Sequence, residues 1–203
     1  MSSLRETTLG AYLDDVSSSD PTPGGGSVTA LVGALAASLG AMVATLGAVA
    51  EPQSSFDAWV SSCHAHRDHL LQLCLDDERA FQHVMACLRL PKDAPARASR
   101  LQSCLKAAAD VPLATARACL DVLQTLEPMT SEASRHSVSD VGVAAHLALA
   151  AIRASLLTVE VNRRAMTDAK YATELAEAAE RVQAEAAETC HRIADLVLSR
   201  IRM

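Results

Sequence analysis

The sequence predicts an all-α protein, a bundle of about six helices around a buried Ala/Gly-rich central helix. Three observations carry that prediction. Apolar residues recur at three- and four-residue spacing along most of the chain, with no sustained period-two alternation and few β-branched clusters to mark a strand. Half of the 203 residues are hydrophobic but only 2% are aromatic, so Ala, Leu and Val must build the core, and small side chains favour short interaxial distances. The run from Val28 to Ala50 carries no charge. It sets small residues at Ala30, Gly33, Ala34, Ala37, Gly40, Ala41, Ala44 and Gly47, a nearly flat helix face that admits a close neighbour.

Ser3-Leu4-Arg5-Glu6 has the form of a capping box. Leu4, Leu9, Tyr12, Leu13 and Val16 then make a short amphipathic helix, ended by Ser17 to Asp20 and two prolines. Pro21-Thr22-Pro23-Gly24-Gly25-Gly26-Ser27 reads as a glycine loop opening onto the central helix. Its glycines offer positive-φ options and close approach, and the helix N-terminus behind them presents N–H groups suited to an anion. The central helix is long enough to span a bilayer. Asp20 and Glu51 bracket it and no Lys/Arg cluster sets an orientation, so a buried core helix and no membrane partner are expected.

Glu51-Pro52-Gln53-Ser54 is a break. The third helix follows, with its apolar stripe at Phe56, Val60, Cys63, Leu70, Leu73 or Cys74, Ala80, Phe81, Val84 and Leu88. The position that continues the stripe between Leu73 and Phe81 is Asp77, a carboxylate where a Leu is expected. Asp76 and Glu78 point away and read as surface acids. Burial raises the pKa of a carboxyl, which is how a protein makes a general acid–base near neutral pH. A structural Asp that bridges helix backbones or pairs with a buried Arg fits the same spacing.

Arg89-Leu90-Pro91-Lys92 ends this helix, and Asp93 is placed to cap the next, with Pro95 in its first turn. Leu101, Cys104, Leu105 and Ala108 form a stripe that Pro112 kinks or restarts, and Leu113 to Leu126 continue it to Pro128. Thr130 to His136 reads as a polar connection. Ser137-Val138-Ser139-Asp140 opens a fifth helix through Val143, Ala144, Leu147, Ala151, Ala154 and Val161. Ser137 and Asp140 stand at N-cap and N3 spacing, which fits a cap; Ser139 or Asp140 facing a ligand is the alternative. Along the last helix Tyr171, Leu175, Ala178, Val182, Ala186, Thr189, Ile193 and Leu196 face one way.

A formal charge of −6 and the lack of a basic stripe with aromatics argue against a nucleic-acid partner, and none is expected. Six cysteines, none in a C-x-x-C pair, read as reduced core residues, and the start has no signal-peptide core, so a cytoplasmic protein of one domain, 1–203, is expected. His64, His66 and His69 read as surface histidines, so no metal site is expected. The three glycines lack the Gly-Lys-Ser/Thr of a P-loop and the preceding strand of a dinucleotide fold.

Together these pieces resemble the formiminotetrahydrofolate cyclodeaminase and methenyltetrahydrofolate cyclohydrolase family. The resemblance rests on Pro23-Gly24-Gly25-Gly26-Ser27, Asp77-Glu78-Arg79-Ala80-Phe81, Leu90-Pro91-Lys92, Val111-Pro112-Leu113, Ser137-Val138-Ser139-Asp140-Val141-Gly142 and Asn162 with Asp168, in that order. It implies a stand-alone all-helical folate enzyme, a homodimer or larger symmetric assembly, with no cofactor beyond its tetrahydrofolate substrate. It implies Asp77 as the proton donor and acceptor, and Pro23, Gly24, Gly25, Gly26, Ser27, Lys92, Ser139, Asp140 and Asn162 as substrate-binding. The expected activity is methenyltetrahydrofolate cyclohydrolase; the alternatives are formiminotetrahydrofolate cyclodeaminase, a relative acting on another small amidine or imine, and a non-catalytic binding module. Three departures stand out. Ala48 to Gln53 replaces a lysine-rich segment, Ala133-Ser134 replaces a Gly-Asn pair, and Thr158 stands where an Asn is usual.

Overall fold

The structure, a computed structural model, describes residues 4–50 and 54–202. Among the described residues there are six helices and no strand: α1 (Leu9–Val16), α2 (Gly25–Ala50), α3 (Ser54–Arg89), α4 (Arg97–Glu132), α5 (Val138–Arg164) and α6 (Ala169–Arg202). The all-α expectation holds. Ser3 and the break at Glu51-Pro52-Gln53 lie outside the described residues. Helix α1 starts later than the capping box suggested, at Leu9, where Thr8 Oγ1 accepts from the Ala11 amide at 3.2 Å.

Helix α2 packs against α3, α4 and α5. Its small residues explain how closely. A Cβ on Gly33 would lie 2.5 Å from Cys119 Sγ, one on Gly40 2.9 Å from Leu126 Cδ2, and one on Gly47 2.3 Å from Phe56 Cε1. Ala30, Ala36, Ala37 and Ala44 are fully buried in the same core. No glycine has a positive φ, and Gly25 and Gly26 form the first turn of α2 rather than a loop. Gly26, Gly33, Gly40 and Gly47 therefore serve close approach, not backbone conformation. By length and composition α2 and α5 could each cross a bilayer; here they pack on one another and on α4.

Helix α4 runs unbroken through Pro112 and Pro128 to Glu132, instead of restarting at Pro112 and ending before a polar connection. A proline removes the hydrogen bond to the carbonyl four residues back. For Pro112 that carbonyl is Ala108, and the Asn162 amide of α5 donates to it at 2.9 Å. At the far end, Arg200 of α6 donates to the carbonyls of Thr130, Ser131 and Ala133 and closes α4.

The expected caps at Asp93 and Ser137 are replaced by other contacts. Helix α4 begins at Arg97 with Ala96 before it, and Arg97 turns back to the carbonyls of Leu90 (3.1 Å) and Leu88 (3.4 Å) at the end of α3. Ser137 Oγ pairs with Ser134 Oγ at 2.9 Å and makes no side-chain cap for α5. Asp168 Oδ1 does cap α6, accepting from the Tyr171 amide at 3.1 Å, while its other oxygen takes Lys106 at 2.6 Å.

Candidate active site

A cleft of about 240 Å³ opens where α2 begins. The first turn of α2 forms one side with Gly24, Gly25 and Gly26. Helix α3 supplies Asp77, Phe81 and Val84; α4 supplies Ala108; α5 supplies Thr158 and Asn162.

Asp77 is held against the backbone of α2. A Cβ on Gly26 would fall 2.0 Å from Asp77 Oδ1 and 2.5 Å from Oδ2, so only glycine leaves room for the carboxylate. The Ser27 amide donates to it. That bond and the positive end of α2 favour the ionised form. Burial opposes them and prevails, with the charge of Glu78 adding to it, so the Asp77 carboxyl is held above its usual 3.8. The anion expected at this helix N-terminus is thus the protein's own side chain. The amides of Gly25 and Gly26, also in the first turn, have no carbonyl within the helix to bond.

Asn162 has two tasks. Its amide nitrogen donates to Ala108 O at 2.9 Å and to Thr158 O at 3.1 Å. With both N–H groups used on backbone, Oδ1 is the group it offers the cleft as an acceptor. Phe81, Val84 and Ala108 are apolar walls suited to a flat ring.

A second layer stands behind Asp77. The Ser27 side chain is fully buried and turned from the cleft; its Oγ donates to Glu78 Oε1 at 3.2 Å and lies 3.1 Å from the Tyr12 hydroxyl. Glu78 is therefore not an ordinary surface acid: Tyr12 reaches in from α1 and, with Ser27, half-buries it. Pro23 lines a neighbouring hollow of about 180 Å³ with Tyr12 and Glu78. Asp76 does face outward, bonded by Gln72 at 2.9 Å and Arg79 at 3.2 Å.

Of the residues singled out in the sequence, Gly24, Gly25, Gly26, Asp77 and Asn162 meet at the cleft, and Pro23 and Ser27 stand behind it. Lys92 is exposed in the turn between α3 and α4 and does not line the cleft. Ser139 and Asp140 are in the first turn of α5, more than twenty residues before Asn162, or about 30 Å along the helix. Val84 is visible in the sequence only as a stripe position, with nothing to tie it to a site; Thr158 is visible as a departure that bears on pterin recognition, and it does line the cleft. Ala108 could have been found as the carbonyl that Pro112 leaves without a donor.

Residues 8–181 match the model of the formiminotransferase-cyclodeaminase family. The chain is 35% identical over 202 residues to a methenyltetrahydrofolate cyclohydrolase of Methylorubrum extorquens, covering 96% of this chain and 97% of that protein. It is 29% identical to the formimidoyltransferase-cyclodeaminase of Gallus gallus, of which it spans 34%. The crystal structure of a formiminotetrahydrofolate cyclodeaminase from Thermotoga maritima superposes with a TM-score of 0.88 at 26% identity, covering 96% of this chain and 98% of that one. A six-helix fold shared over nearly the full length, and a family match that takes in the α2 N-terminus, Asp77 and Asn162, give one conclusion: this chain belongs to the formiminotransferase-cyclodeaminase family.

Proposed function

We propose that the protein is a methenyltetrahydrofolate cyclohydrolase, opening 5,10-methenyltetrahydrofolate to the 10-formyl form with Asp77 as general acid–base. One observation carries the reading: a half-buried carboxyl with a raised pKa sits on Gly26 at the edge of a cleft, in a chain similar end to end to a cyclohydrolase. Water adds to the amidinium carbon of the substrate as Asp77 takes its proton. Asp77 then returns a proton to the nitrogen that departs as the ring opens. The cationic substrate stabilises the aspartate it meets, so the carboxyl is ionised when water must be activated. Phe81 and Val84 face the pterin, and Asn162 Oδ1 and the amides of Gly25 and Gly26 orient it. No cofactor beyond the folate enters this scheme.

A second reading, formiminotetrahydrofolate cyclodeaminase, is favoured by the superposed Thermotoga maritima enzyme. It asks similar acid–base work of Asp77: protonate the formimino nitrogen and expel ammonia. The test follows methenyltetrahydrofolate by absorbance, corrected for spontaneous hydrolysis, beside ammonia release from formiminotetrahydrofolate. A higher kcat/KM for the methenyl substrate is the expected result. The reverse order selects the second reading, and no acceleration of either sinks both.

The working form in this proposal is a homodimer in the cytoplasm. Its support is an uncharged row on α2, Val28, Val32, Leu35, Leu39, Met42, Leu46 and Val49, in alternating four- and three-residue steps, of which Leu35, Met42, Leu46 and Val49 are exposed while Val32 and Leu39 also touch the core. Leu46 is 52% exposed and Val49 80%. The neighbouring α5 repeats the spacing with Val143, Leu147, Ala150, Ala154, Leu157 and Val161. Such 4–3 rows are the seams by which helices pair. Two of them side by side on one chain suit a second copy of that chain. Ser139 and Asp140, about 30 Å from the cleft in their own chain, join a folate site only if the second copy presents them. The wild type should sediment as a dimer of the 21.4 kDa chain, and Leu46→Glu with Leu157→Glu as a monomer with reduced turnover. A dimer that survives both changes removes this face from the proposal.

A further inference from the structure

Cys87 of α3 and Cys104 of α4 stand with their sulfurs 3.1 Å apart. A disulfide needs about 2.05 Å, so roughly one ångström separates this pair from a covalent bond. Cys104 is half-exposed and open to an oxidant, while Cys87 is buried behind it. The pair also has a place in the site. Cys87 is one helical turn beyond Val84, and Cys104 one turn before Ala108. Val84 and Ala108 both line the cleft.

We propose that Cys87 and Cys104 form a dithiol–disulfide pair which, when oxidised, ties together α3 and α4, two of the helices that line the cleft. The reaction is exchange with a small-molecule disulfide. The Cys104 thiolate attacks one sulfur of the oxidant and releases one small thiol, leaving a mixed disulfide. The Cys87 thiolate then attacks the Cys104 sulfur and releases the second. Two protein thiols are oxidised to one disulfide, one small disulfide is reduced to two thiols, and the two protons pass to the leaving thiolates. The remaining cysteines lack this arrangement. Cys63, Cys74 and Cys119 are buried, and Cys190 is buried against α5. The site depends on no particular ligand in the cleft.

The test incubates the full-length protein with glutathione disulfide, blocks remaining thiols with iodoacetamide, and maps peptides by mass spectrometry. A Cys87–Cys104 cross-link is expected, with a thermal midpoint raised on the order of 5 °C, since the bond closes a loop of moderate length. Dithiothreitol should reverse both. Cys104→Ser and Cys87→Ser should give neither the cross-link nor the shift while folding as the reduced wild type does. A stable glutathione adduct on Cys104 without a cross-link, a cross-link through other cysteines, or an unmoved midpoint would overturn the proposal.

Discussion

The Asp77→Asn variant is expected to keep its fold and lose turnover by about 10²-fold or more, the usual worth of a general acid–base. Asn retains an oxygen to accept from the Ser27 amide, so the side chain holds its place while the exchangeable carboxyl proton is gone. The stability outcome has a definite sign. Burial raises the Asp77 carboxyl above 3.8, so between that pH and its folded value the native state holds a proton that the unfolded chain has released. Stability from this group therefore falls as pH rises through that window. Asn removes the loss. The variant should be no less stable than wild type at neutral pH, and its stability should depend less on pH above 3.8. Asp76→Asn, on the outer face with Gln72 and Arg79, should leave turnover near wild type. Normal turnover in Asp77→Asn would show that the carboxyl has been given the wrong task. So would unfolding of that variant while Asp140→Asn alone abolishes turnover.

Much of this site is legible in the sequence because helix period is legible. The 3.6-residue repeat marks the buried row of α2 and the polar residue interrupting the stripe of α3, and the two meet at Gly26 and Asp77. What periodicity does not encode is how one helix crosses another. Glu78 looks like a surface acid along α3 alone; it becomes half-buried because Tyr12 of a different helix and Ser27 of a third close over it. Pro112 looks like a helix break because the rule for proline concerns one helix. Asn162, fifty residues later, supplies the missing donor, and α4 continues. The three glycines invite a conformational explanation, yet none has a positive φ. Only Gly26 has its reason in a side chain opposite, Asp77, which sequence spacing does not name; a Cβ on Gly25 would meet nothing within 4 Å. Ser139 and Asp140 share α5 with Asn162 but stand at its other end, so membership of one helix gives no proximity.

Gly26→Ala is the sharpest test of how the cleft is built. The added methyl would lie 2.0 Å from Asp77 Oδ1 and 2.4 Å from Cγ, inside any permitted contact. The carboxylate must swing away and give up the Ser27 amide. Two effects act on stability. Alanine favours a helix over glycine by up to about 1 kcal/mol in a helix interior, and less in the first turn. Overpacking a filled site costs about 1–3 kcal/mol, so a net loss is expected. Turnover should fall about as far as in Asp77→Asn, by about 10²-fold or more, because the acid–base group is misplaced rather than removed. Combining Gly26→Ala with Asp77→Asn should then cost little further turnover, since both changes disable one device. On an Asp77→Ala background the clash is relieved, and Gly26→Ala should cost no stability there. That pair of comparisons separates contact with Asp77 from any general intolerance of α2. Gly25→Ala, whose methyl meets nothing within 4 Å, should fold like the wild type. A fully active Gly26→Ala enzyme would mean that Asp77 has no need of the position in which α2 holds it.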